Sequence, residues 1–161
     1  MVKIKDDSVS FVFSWDSLVH CDRTCLTYYL NDLQRVMVEG GYAFLHVSNL
    51  GWCDEHVRRG TPHLRDPGMS ATWLVERLRH YTQFEPLLVE MVNWGMDGEL
   101  PNQYCLIDAF VVFKKNAGQQ PDRCAWHYNR SFMQEAALAK QIMESEKNYI
   151  DVTSPREGSD A

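Results

Sequence analysis

The sequence predicts an α/β fold from three neighbouring features: a short apolar strand, an amphipathic helix, and a second apolar strand entered through a Gly-Gly pair. Ser10-Phe11-Val12-Phe13-Ser14-Trp15 carries β-branched and aromatic residues between polar flanks, which suits a buried strand better than a helix. From Asp22 to Val38 the period changes: Leu26, Tyr29, Leu30, Leu33, Val36 and Met37 recur at three- and four-residue spacing and form one buried stripe. Asp22 suits the N-cap, and Gly40-Gly41 supplies backbone able to take the left-handed geometry that ends a helix. Tyr42-Ala43-Phe44-Leu45-His46-Val47 then reads as a strand. A strand, helix and strand of this length form a βαβ unit, so the two strands are expected to be parallel neighbours with a right-handed crossover.

The other elements follow in order. Asp6-Asp7-Ser8 has turn composition ahead of the first strand, and Asn49 to Gly68 is a long loop rich in Gly, Pro, His and Arg. Ser70 caps a helix running to about Gln83, with Leu74, Val75, Leu78 and Tyr81 inward. Phe84–Trp94 and Tyr104–Lys114 are strands, and the Gly95, Gly98, Pro101, Asn102 break between them has no room for a helix. They are therefore expected to pair antiparallel. Lys115–Arg123 is polar, Ser131-Phe132-Met133-Gln134 is a capping box opening a last helix to about Lys147, and the end of the chain has the composition of a frayed tail. The expected organisation is one domain over residues 1–147 with a flexible tail over 148–161.

Composition narrows the function. A chain of 161 residues, 45% apolar, can bury about two-thirds of its unfolded surface and needs neither disulfides nor metal for a core. Its net charge of −6 argues against a duplex nucleic acid partner, whose phosphates demand a basic surface. No segment approaches the apolar length of a membrane helix, and Lys3, Lys5, Asp6 and Asp7 stand where a signal peptide would be apolar. Cys21, Cys25, Cys53, Cys105 and Cys124 are odd in number and scattered, without a Cys-x-x-Cys pair, so reduced thiols in a cytoplasm are expected.

The run Phe11-Val12-Phe13-Ser14-Trp15-Asp16-Ser17-Leu18-Val19-His20, the helix with its exit Arg35-Val36-Met37-Val38-Glu39-Gly40-Gly41, and the following Tyr42-Ala43-Phe44-Leu45-His46 resemble the second half of class I S-adenosylmethionine-dependent methyltransferases. The resemblance covers about residues 8 to 115, since the later loop, helix and antiparallel strand pair also agree in order. It implies a partial Rossmann-like sheet: two parallel strands, an antiparallel C-terminal pair, and helices packed on the sheet. The family holds its cofactor with a Gly-rich turn after its first strand and an acidic residue after its second, and this chain has no Gly-x-Gly turn after a strand. The sequence thus resembles a C-terminal fragment or one part of a split protein. In the family the strand corresponding to Ser10–Trp15 lies beside the first strand, so here it is expected to leave an apolar edge open to a partner chain or to a second copy.

By the same resemblance the cofactor is S-adenosylmethionine and the acceptor a small polar molecule such as a sugar, with O-methylation the expected chemistry. Ligands of open α/β sheets sit beyond the carboxyl ends of the parallel strands. The resemblance then implies Ser14 and Trp15 near the cofactor, with Asp16 and His20 towards the substrate. His20 is a candidate general base or a locally capping loop histidine; His46 touches substrate or is a satisfied inner-face histidine; Asp16 orients His20, binds hydroxyls or serves the turn. Asn49, at the end of the second strand, is a further candidate substrate contact. Arg65, with His56, Arg58, Arg59 and His63, forms either a lid over a polar acceptor or a solvated loop. Trp94 offers a stacking surface near Glu90 and Asn93, or belongs to the core with Trp73, Phe110 and Phe113. Asp108 interrupts an apolar strand and needs a partner unless it faces solvent. The four histidines His20, His46, His56 and His63 lack metal-site spacing. The alternative to an enzyme is a non-catalytic interaction module that pairs through the open edge.

Overall fold

The structure, a computed structural model, describes residues 3–53, 65–92, 106–116, 118, 123–129 and 132–153, with side chains of the last segment described to residue 145. Its strands are β1 (Val9–Leu18), β2 (Met37–Ser48), β3 (Phe84–Val92), β4 (Asp108–Lys115) and β5 (Ala125–Asn129). Its α-helices are α1 (Arg23–Val36), α2 (Ala71–Tyr81) and α3 (Phe132–Thr153), with a 3₁₀ turn over Leu50–Trp52. The chain is α/β: the strands form one mixed sheet in the order β1-β2-β4-β3-β5.

β1 and β2 are parallel neighbours joined through α1, with Val12 opposite Ala43 and Phe13 opposite Phe44. β4 runs antiparallel to both β2 and β3, so the expected antiparallel pair is present and its second member fills the middle of the sheet. The alternation of β2 and β4 sets the layers. Ala43, Leu45, Val47, Ala109, Val111 and Phe113 are buried in one core with Leu26 and Leu30 of α1 and Leu74, Val75 and Leu78 of α2. Phe44, His46 and Phe110 turn to the other face, where Phe13 stacks on Phe44 at 5.3 Å and Phe110 meets Phe132, at the start of α3, at 5.4 Å.

Several boundaries differ from the sequence reading. The helix stops at Val36, and Gly40 and Gly41 belong to β2 rather than to a helix cap. Gly40 takes φ +79°, the region glycine favours, and makes a bulge there: Val9 lies opposite Met37 but Phe11 opposite Tyr42, leaving surplus residues on β2. A Cβ on Gly41 would stand 3.0 to 3.3 Å from the carbonyl oxygens of Val38, Ser10 and Val9, so the close approach of β1 requires glycine. At the end of α1 the Arg35 and Val36 carbonyls accept from the backbone N–H groups of Asp7 and Ser8, and a buried charge takes their neighbours. The Lys115 ammonium donates to the carbonyls of Gln34 and Met37, each at 2.7 Å, and to Asp7 Oδ1 at 3.0 Å, meeting the negative end of the helix dipole.

β5, parallel to β3, was not read from the sequence; it is short, and Ala125, His127 and Tyr128 are exposed, so no apolar alternation announces it. α3 continues to Thr153, past the Lys147 expected from the capping box, whose Ser131 lies outside the described residues. Cys53 is disulfide-bonded, which corrects the expectation of reduced thiols throughout. An odd cysteine count never excluded one bonded pair. The partner of Cys53 lies outside the described residues, whereas Cys21 and Cys25 are free thiols. No helix among the described residues is long and apolar enough to cross a membrane.

Lys115→Met is expected to cost about 2–4 kcal/mol in urea unfolding, because it leaves two buried carbonyls without their charged donor.

Candidate functional site

Parallel pairing brings the carboxyl ends of β1 and β2 together. β1 breaks its pleat at Asp16, which takes φ +54°, a backbone state that aspartate tolerates better than most residues. The break aims the Asp16 N–H at the second strand, where it donates to His46 Nδ1 at 3.1 Å. An accepting Nδ1 puts the proton of the neutral ring on Nε2. Nε2 stands 3.6 Å from Asp108 Oδ2, and both side chains are only 2% exposed.

Asp108 is also held by Arg65. Nη1 bonds Oδ1, Nη2 donates to Oδ2 at 3.3 Å, and Nη1 reaches the Ile107 carbonyl at 3.4 Å. Burial pushes the Asp108 carboxyl up. The facing His46 ring, with the hydrogen bonds and charge of Arg65, outweighs it and holds the group below its ordinary value. The cluster is therefore a guanidinium–carboxylate pair with a histidine oriented against it. Trp15 covers the ring, 5.3 Å from His46 and stacked 5.0 Å from Phe110.

The structure thus joins Trp15, Asp16 and His46, three of the residues singled out from sequence. His46 is clamped between a backbone donor and a carboxylate, so its evident work is to position β1 on β2. The Asp16 and His20 side chains are exposed at the same end of β1 and face solvent. Ser14 and Trp15 do not share a face. Ser14 shares a hydrogen bond with Ser17 at 2.7 Å and lines a cavity of about 810 Å³ beneath α1, with Val12, Leu18, Cys21, Leu33 and Leu45.

Asn49 is buried and spent on structure: its amide donates to the Leu106 carbonyl at 2.7 Å and accepts from the Ala71 N–H at 2.8 Å. Arg65 is the partner of Asp108, and its side chain is 10% exposed, so it does not belong to a solvated loop face. Trp94, Asn93, His56, Arg58, Arg59 and His63 lie outside the described residues. Among the described residues no three His, Cys, Asp or Glu side chains converge as a metal site requires.

One polar cluster escaped the sequence reading. Asp66 accepts from Arg23 Nε at 2.9 Å, Arg23 N at 3.1 Å and Gly68 N at 2.8 Å, on a cleft of about 640 Å³ that Tyr28 and Trp73 also line. Only the Asp66-Pro67-Gly68 turn composition hinted at it.

Asp108→Asn leaves the Arg65 charge buried without a counterion, and a loss of about 3–5 kcal/mol is expected in chemical denaturation at neutral pH. Because folding lowers the pKa of Asp108, its contribution is complete above the unfolded value of about 4 and is lost as pH falls through the lower folded value. Wild type is therefore expected to lose stability across that acid range more steeply than Asp108→Asn. No family model, curated protein or solved structure matches this chain.

Proposed function

We propose that this chain is the acceptor-side portion of an S-adenosylmethionine-dependent methyltransferase, with a Rossmann-like sheet and O-methylation of a small polar acceptor as its chemistry. The observation that carries the reading is the parallel β1–β2 pair joined through α1, whose carboxyl ends gather Trp15, Asp16 and His46. The loop, helix and antiparallel pair that follow stand in the order the resemblance implies.

The described residues by themselves do not fit the whole cofactor. The amino end of α1 is closed by its own cap, with the Asp22 carboxylate accepting from Cys25 N at 2.6 Å, and Ser14 points beneath the helix. The sequence has no Gly-x-Gly turn. No reaction step is therefore derived through the cofactor. Within the proposal, Trp15 supplies an aromatic wall and His46 fixes the strand ends. Asp16 and His20 are the solvent-facing groups able to take a proton from an acceptor hydroxyl. The glycine turn would come from a strand docked on the outer edge of β1.

A second reading rests on that edge. β1 is terminal in the sheet and, among the described residues, pairs with β2 alone; Phe11 and Phe13 beside the edge are 60% and 62% exposed. An open apolar strand recruits another strand, and a non-catalytic module pairing in this way would use the same surface.

The test is amide NMR of the chain with S-adenosylhomocysteine at millimolar concentration. Shifts confined to Trp15, Asp16, His46 and their neighbours, too weak for calorimetry to register, are expected. An absence of shifts, or shifts elsewhere, would refute the ligand edge, and tight binding by the chain alone would refute the incomplete site. For the edge, light scattering is expected to show mass rising with concentration, and Phe11→Lys to abolish the rise.

A further inference from the structure

Cys21 and Cys25 bracket the turn between β1 and α1. Cys21 hangs from the end of β1, its N–H donating to the Leu18 carbonyl at 3.1 Å, while Cys25 stands in the first turn of α1, its N–H held by Asp22. The Cys25 and Cys21 sulfurs stand 3.5 Å apart and share a hydrogen bond. Both side chains are partly exposed, and Cys21 lines the cavity under α1, so a small molecule can reach the pair from solvent. Neither belongs to the buried core, to which this stretch contributes Val19, Leu26 and Leu30.

We propose that Cys21 and Cys25 form a thiol–disulfide exchange site for a small non-protein disulfide, such as that of a tripeptide thiol. The Cys25 thiolate attacks one sulfur of the small disulfide, giving a mixed disulfide and releasing one small thiol. Cys21 then loses its proton and attacks Cys25 Sγ; the Cys21–Cys25 bond forms and the second small thiol leaves. Two protein thiols are oxidised and one small disulfide is reduced to two thiols, with no other reactant.

Chemistry fixes the order of attack. Burial, followed by the hydrogen bond and charge of Cys25, pushes the Cys21 thiol up to about 11, so Cys21 is protonated at neutral pH and is the resolving partner. Closure shortens the sulfur separation from 3.5 Å to about 2 Å and staples the residue before the Asp22 N-cap to the first turn of α1.

The experiment treats the whole chain with oxidised glutathione, quenches with acid and maps peptides by non-reducing mass spectrometry. Wild type is expected to accumulate the Cys21–Cys25 link. Cys21→Ser should trap glutathione on Cys25, and Cys25→Ser should slow modification at position 21 by about tenfold or more. A stable glutathione adduct on Cys25 of the wild type would overturn the proposal. So would modification of Cys124 as fast as Cys25. Circular dichroism on both serine variants separates altered chemistry from lost folding.

Discussion

A carboxylate inside a sheet is tolerated only where its charge is met, and Asp108 imposes that condition on the strand-end edge. It opens β4 between Ser48 of β2 and Val92 of β3, a position without water to solvate it. Arg65 is drawn in from a distant stretch of chain to supply the charge. His46 is then fixed with Nε2 towards the carboxylate and Nδ1 left to accept. That acceptor holds the Asp16 N–H, which holds the left-handed break in β1 and lays Trp15 over the ring. The shape of the edge descends from one buried charge through a chain of directional contacts.

The other end of β4 mirrors it with the opposite sign. Lys115 is buried against the last carbonyls of α1 and the first of β2, so β4 is pinned at both ends by charge and packed between them by Ala109, Val111 and Phe113. A slip of one residue would turn these three away from the core and leave both charges facing the wrong layer. Register is thus specified by polar pins as well as by the apolar pattern.

Where period and punctuation carry the information, the sequence is legible. α1 and α2 follow from helical spacing and from the Asp22 and Ser70 caps, whose side chains bond Cys25 N and Trp73 N. The parallel β1–β2 pair and the antiparallel β3–β4 pair follow from the length of the chain between them. Contacts decided at a distance are not legible. Gly40-Gly41 was read as a helix stop because the alternative, a bulge under β1, depends on the neighbouring strand. β5 has no apolar alternation of its own and owes its conformation to β3. In the site, Trp15, Asp16 and His46 were found from their place at strand ends, whereas the ties of Asn49 to Leu106 and of Arg65 to Asp108 link segments remote in the chain. Asp108 itself was visible as a buried carboxylate wanting a partner.

The strand at the centre of the sheet is also nearly the last to be made. β2 and β3 both wait for β4 on their inner edges, so until the ribosome has passed Lys115 each presents an open row of amides and an apolar face to its surroundings. Joining the two halves of the sheet therefore waits on β4, and β5 adds to β3 after it. A chain held before that point leaves the inner edges of β2 and β3 unpaired together, the arrangement in which a strand of another molecule competes with β4 for the same two edges.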